Sequence, residues 1–207
     1  MPRLYAISSG AGWQGLPLLV RAAEAGVDWI QIREKHLRPR DLMALGRELR
    51  VATAHTPVKI LLNERFDLAL AAGLDGVHLP NSSLPPARVR PLVPPSFLIG
   101  LSCHAPAEVA AAHGADFCVL GPIFPTPSKA AASPLGLPAL ATACRTHCPV
   151  LALGGVAWTN AADCLAQGAV GIAGIRLFGE EPARWKLRTI GREPRHDDPA
   201  TDSTPVQ

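Results

Sequence analysis

In QIREK, residues 31–35, the polar side chains Gln31, Arg33 and Lys35 fall on alternate positions. On an extended strand that spacing sends all three to one side. Two cations and an amide facing a packed interior need a partner, because an uncompensated polar group is costly to bury. One solution is an ion pair between Arg33 and Glu34 or Glu64. Another is a phosphate or pyrophosphate, which guanidinium and ammonium groups bind well together. GPIFPTPSKA, residues 121–130, favours the second: an apolar run ends in Thr126, Ser128 and Lys129 on a segment stiffened by prolines. Gly154-Gly155 after VLAL, and Ile175-Arg176 after VGIAG, extend the set. The glycine pair reads either as a turn that needs positive φ or as a place where backbone N–H groups meet an anion. Asn63, His78, Ser102 and His104 also lie at the ends of apolar runs. The two histidines are candidates for acid–base work, since imidazole titrates near neutrality, or are hydrogen-bonded residues of the interior.

The elements that must position these residues repeat one plan. EAGVDWIQIRE (24–34), AAGLDGVHLP (71–80), AHGADFCVLG (112–121) and AQGAVGIAGI (166–175) each run from an Ala-rich helical end through a glycine into an apolar strand. The glycines at 26, 73, 114 and 168 suit the left-handed C-cap position. Between them lie further strand candidates, LYAIS (4–8), VKILLN (58–63), FLIGLSCH (97–104) and PVLALGG (149–155). Helices are predicted over 16–25, 39–54, 66–72, 86–92, 106–113, 137–146 and 159–167, with a last short one over 181–191. Continuous apolar strands imply a parallel sheet covered on both faces. The alternation predicts an α/β chain folded as a single (β/α)8 TIM barrel over residues 1–190, with a polar, proline-rich and disordered tail over 191–207. A doubly wound open sheet is the alternative and would leave the first and last strands unpaired. In a barrel every polar residue named above ends a strand at the C-terminal face, where barrel sites form, and the loops after strands 7 and 8 are the usual phosphate site.

Composition narrows the function classes. Of 207 residues 48% are hydrophobic, 18% are charged and the net charge is +3, which suits a sizeable core and argues against nucleic-acid binding. No apolar run approaches the roughly 18 residues of a membrane span. The N-terminus lacks the features of a secretory signal. Five cysteines, an odd number, imply reduced thiols and a cytoplasmic setting. Cys144 and Cys148 flank His147, but no second ligand pair follows, so buried thiols are the expected reading rather than a metal site. Trp13, Trp29, Trp158 and Trp185 are expected to pack.

Taken in order, QIREK, LLNERFDLALAAGLDGVHL, IGLSCH, GADFCVLGPIFPTPSK, LALGGV and GIAGIR resemble the thiamin-phosphate synthase superfamily, which includes thiazole tautomerases of the same fold; the resemblance runs from about residue 4 to 178. It implies a transferase that joins hydroxymethylpyrimidine, activated as its diphosphate, to a thiazole phosphate. Pyrophosphate leaves, and the thiazole nitrogen captures the pyrimidine carbocation. By resemblance Gln31, Arg33, Lys35 and Asn63 contact the pyrimidine diphosphate, Ser102 and Lys129 hold the pyrophosphate, Thr126 and Ser128 touch the thiazole, and Gly155, Ile175 and Arg176 lie at its phosphate. The resemblance also implies Mg²⁺ on two aspartates. Those positions here read Glu64 and Ser83; glutamate can still serve as an oxygen ligand, whereas serine is a poor one. Pro80 and Asn81 stand where the synthase has Gly-Gln, so HLPNSS looks more like the tautomerase branch, yet Pro122 stands where that branch has its acid/base histidine. Arg176 replaces a serine. Three readings follow: a synthase with an altered metal site, a metal-independent isomerase using His104 or His78, and a non-catalytic binder of thiamin-pathway phosphates. The expected partners are small phosphorylated substrates, with a homo-oligomer left open.

Overall fold

Each predicted strand forms, and the chain closes on itself. A computed structural model describes residues 2–127 and 133–179. The strands are β1 Arg3–Ile7, β2 Trp29–Ile32, β3 Lys59–Asn63, β4 Gly76–Leu79, β5 Leu98–Cys103, β6 Phe117–Leu120, β7 Val150–Ala152 and β8 Gly171–Gly174. They pair in sequence order, all parallel, and β1 pairs with β8 through Leu4–Ile172 and Tyr5–Ala173. That pairing makes a closed barrel and rules out the open sheet. The helices between strands are α1 Leu16–Glu24, α2 Pro39–Ala52, α3 Phe66–Ala71, α4 Pro86–Val89, α5 Pro106–Ala110, α6 Gly136–Cys144 and α7 Ala161–Ala166. Proline opens α2, α4 and α5, where its missing N–H would have no helical partner anyway. The glycines at 26, 73, 114 and 168 have φ of 89°, 70°, 87° and 95°, the left-handed conformation expected of a helix stop. The last predicted helix, Trp185 and the tail lie outside the described residues. Within the described residues no helix is long and apolar enough to cross a membrane.

Two cores result from the alternation of side chains along the strands. One lies between strands and helices and takes Leu4, Ile30, Ile32, Leu62, Val77 and Ile99. The other fills the barrel with Tyr5, Ile7, Leu61, Phe117, Val119, Leu151 and Ala173. Near the N-terminal end of the barrel, Tyr5 meets Trp29 edge-on at 5.9 Å and Phe117 at 5.5 Å, forming an aromatic plug. Trp13 is 47% exposed, so it does not join the packing expected of it. It sits in a single 3₁₀ turn, Gly12–Gly15, between β1 and α1, too short to set an apolar face.

A second repeat escaped the sequence reading. Two residues after three of the marker glycines comes an aspartate that accepts the N–H of the second residue of the preceding strand: Asp28 from Leu4 at 2.9 Å, Asp75 from Ile60 at 2.8 Å and Asp116 from Ile99 at 2.7 Å. Arg3, Arg50 and Arg90 pair with the same carboxylates. Asp75→Ala is expected to lower unfolding free energy by about 1–3 kcal/mol, because it orphans a backbone donor and an arginine together. Urea unfolding measures this directly, and turnover at 25 °C should stay near wild type because Asp75 lies at the face opposite the strand ends discussed next.

Candidate active site

The C-terminal ends of the strands surround a cavity of about 1120 Å³. Gln31, Arg33 and Lys35 line it, although β2 ends at Ile32 and the last two lie in the loop beyond. The alternation of the strand therefore outlasts its hydrogen bonding. The buried Gln31 amide donates to Asn63 Oδ1 at 3.0 Å, fixing both side chains on adjacent strands. The N–H of Arg33 donates to Ser8 Oγ at 2.8 Å. Among the described residues no carboxylate comes within 4.0 Å of the Arg33 guanidinium, so the ion pair with Glu34 or Glu64 does not form. Glu34 turns the opposite way. It is buried and accepts N–H groups of Gly10 at 3.3 Å and Gly12 at 2.8 Å, clamping the loop after β1. Sequence reasoning gave Glu34 no such role, although its position between Arg33 and Lys35 already sent it away from them.

His78 and Ser102 rise from β4 and β5 and meet at 2.9 Å, His78 Nε2 to Ser102 Oγ. The imidazole is buried, and that burial together with the Arg33 charge pulls its pKa down to about 3. His78 is therefore neutral at physiological pH and is no acid–base group there. In the unfolded chain the same ring titrates near 6.5 and takes up a proton that the folded state excludes. This contribution to stability is full above pH 6.5 and is lost as pH falls from about 6.5 towards about 3, by up to about 1.4 kcal/mol per pH unit. His78→Met is expected to remove that part of the slope in urea unfolding between pH 7 and pH 5. His104, just past the end of β5, has Nδ1 at 2.8 Å from the Gly121 carbonyl. A carbonyl only accepts, so Nδ1 carries a proton and donates it there. Glu108 ties this rim together, accepting from His104 N at 2.6 Å and from Asn81 Nδ2 at 3.0 Å.

The opposite wall comes from β6, β7 and β8. Thr126 and Pro127 line the cavity; Ser128 and Lys129 lie outside the described residues. Gly154 and Gly155 line it too, with φ of 88° and 65°. No described carbonyl or side chain accepts their N–H groups. Asn160, unremarked in the sequence, holds this turn: its amide donates to the Gly155 carbonyl at 3.1 Å and its Oδ1 accepts from Ala157 N at 2.8 Å. Ile175 and Arg176 complete the wall. Ser9 and Ser82 also reach the cavity from loops whose side-chain directions carry no period. Three basic residues, Arg33, Lys35 and Arg176, line this space, and among the described residues no aspartate or glutamate does. Such a cavity favours anions.

The thiamine monophosphate synthase family model matches residues 4–178. The chain belongs to the thiamine monophosphate synthase family. A thiamine-phosphate synthase of Methanoculleus marisnigri is 41% identical over 195 residues, 90% of this chain and 92% of that one. One of Gloeobacter violaceus is 38% identical over 203 residues, 92% of this chain and 58% of that one. The solved thiamine phosphate pyrophosphorylase of Pyrococcus furiosus superposes with a TM-score of 0.80 at 31% identity, covering 91% of this chain and 94% of that one. A 3-hexulose-6-phosphate synthase with a TM-score of 0.68 at 19% identity shares the fold alone.

For a member of the thiamine monophosphate synthase family, the metal expectation fits this chain poorly. Neither Glu64 nor Ser83 lines the cavity. Glu64 is exposed at φ 64°, its N–H held by the His78 carbonyl at 2.8 Å, and Ser83 is half-buried in the turn after β4. Among the described residues no three of His, Cys, Asp or Glu gather as a metal set, Cys144 and Cys148 included. Mg²⁺ takes six oxygen ligands in near-ideal octahedral geometry. Of the two expected ligand positions, then, only Glu64 carries a carboxylate, and it lies outside the cavity wall.

Proposed function

We propose that this synthase-family enzyme transfers hydroxymethylpyrimidine from its diphosphate to a thiazole phosphate. The observation that carries the reading is one cavity with two anion-receptive ends, Arg33 and Lys35 on one side and Gly154, Gly155 and Arg176 on the other, with no carboxylate among the described residues of its wall. The methylene carbon–oxygen bond of the pyrimidine breaks and both electrons leave with pyrophosphate. The thiazole nitrogen then gives its lone pair to the carbocation and forms the new C–N bond. Little acid–base chemistry is needed. Catalysis lies in neutralising the leaving group and holding the nucleophile close. Gln31 and Asn63 orient the pyrimidine; Arg33, Lys35, Ser102 and Lys129 take the charge that develops on pyrophosphate. Thr126, Ser128 and His104 border the thiazole, and Gly154, Gly155, Ile175 and Arg176 receive its phosphate.

Mg²⁺ on this reading arrives as counter-ion of the diphosphate rather than as a resident of the chain. Glu64→Ala should then leave the Mg²⁺ dependence of turnover within about twofold of wild type, and a shift of about tenfold or more would place the ion on Glu64. The isomerase reading loses His78, which burial keeps neutral, and rests on His104 alone. Incubation with both substrates tests the choice: thiamine phosphate and pyrophosphate should appear in equal amounts. Isomerisation of a thiazole carboxylate phosphate without pyrophosphate release would favour the other branch, and ligand-dependent stabilisation without turnover in either assay would favour the binder.

A further inference from the structure

His78 faces Gly100 across the β4–β5 pairing, and the missing side chain there is what admits the ring: a Cβ at Gly100 would lie 2.7 Å from His78 Nδ1. The ring packs against the rings of Tyr5 at 5.7 Å and Phe117 at 5.9 Å, each tilted by 47°. Nδ1 is buried and has no hydrogen-bond partner among the described residues, while Nε2 has one, the Ser102 hydroxyl at 2.9 Å. A neutral imidazole carries one proton. Placed on Nδ1 it would be a buried donor with nothing to receive it, and orphaned buried N–H groups are rarer than orphaned acceptors. Placed on Nε2 it donates to Ser102 Oγ. Ser102 then cannot turn its own hydrogen towards the ring, and its remaining open direction is the cavity it lines.

The geometry points to His78 as a positioning residue that holds Ser102 as a hydrogen-bond donor aimed at the anionic oxygens of pyrophosphate. A hydroxyl is otherwise ambivalent and could present a lone pair to the phosphate, which repels. With one lone pair occupied by the ring, the hydroxyl presents its hydrogen instead. The inference rests on the proposed pyrophosphate-releasing reaction for its ligand, but its test does not need turnover.

The ring nitrogens of the wild-type enzyme, read by long-range ¹H–¹⁵N NMR, should show Nε2 protonated and Nδ1 bare; the reverse assignment overturns the proposal. Pyrophosphate binding by calorimetry supplies the second reading. Ser102→Ala and His78→Met should each weaken the Kd by about tenfold, a charge-assisted hydrogen bond's worth, and the double variant should be no weaker than Ser102→Ala alone. His78→Gln, whose amide N–H can take the place of Nε2–H, should restore binding to within about threefold of wild type. Additive losses in the double variant, or a Gln variant as weak as Met at equal Tm, would mean that His78 acts by packing and not through Ser102. Should wild type bind pyrophosphate but yield no thiamine phosphate, the reaction assignment fails and the His78–Ser102 arrangement stands.

Discussion

Arg33→Met is expected to lower kcat/KM for the pyrimidine diphosphate by about 10³, equivalent to about 4 kcal/mol of transition-state stabilisation. The guanidinium faces the cavity without a carboxylate partner among the described residues, so its charge is not spent on an internal ion pair. As the carbon–oxygen bond breaks, charge builds on pyrophosphate, and a preoriented cation gains more there than in the ground state. The loss should therefore fall mainly on kcat. Methionine keeps the length and apolar stem, so the unfolding midpoint should change little. Removing the charge also relieves His78 of one influence that lowers its pKa, so the loss of stability that begins near pH 6.5 should end at a higher pH and be smaller in total. Steady-state kinetics with thiazole phosphate saturating, alongside urea unfolding, would check both parts. A change in KM alone would mean that Arg33 binds substrate and transition state equally.

Gly155→Ala should impair both folding and binding of the thiazole phosphate. The residue sits at φ 65°, a conformation that costs an L-residue about 1–2 kcal/mol. A Cβ there would also meet the Pro125 carbonyl oxygen at 2.5 Å and Phe124 Cβ at 2.7 Å, neither of which is the flexible end of a side chain. The β6–α6 segment must move, yet it is strapped to β7 by Ile123 N to Leu153 O and Phe124 N to Gly154 O, both at 2.9 Å. Together these predict a loss of about 3 kcal/mol in unfolding free energy and a rise of tenfold or more in KM for the thiazole phosphate, with KM for the pyrimidine diphosphate less affected. Denaturation and two-substrate kinetics on the soluble variant separate the two effects. Normal stability and kinetics would show that the loop has another conformation of similar energy.

Much of this was legible in the chain because periodicity carries it. Gly26, Gly73, Gly114 and Gly168 mark helix stops whose spacing counts the strands, and apolar runs between them have only one parallel arrangement that repeats eight times and closes. Gln31, Arg33 and Lys35 could be placed together because strand parity persists for a residue or two past the last ladder hydrogen bond. What stayed hidden depends on contacts between distant residues. Glu34 reaches Gly12 across 22 positions, and Asp75 reaches Ile60 across a whole helix. Asn160 acts on Gly155 through a turn whose shape no local pattern announces. The orphaned Nδ1 of His78 exists only because β5 offers a glycine opposite it, a consequence of register between two strands.

The most direct test of a single cavity with two anion seats is simultaneous binding. Pyrophosphate titrated into enzyme already saturated with thiazole phosphate should bind at one per chain, with a Kd close to that measured alone; Arg33→Met should weaken only the pyrophosphate and Arg176→Ala only the thiazole phosphate. Mutual displacement of the two ligands, or one variant weakening both equally, would contradict the two-ended cavity and the coupling reaction built upon it.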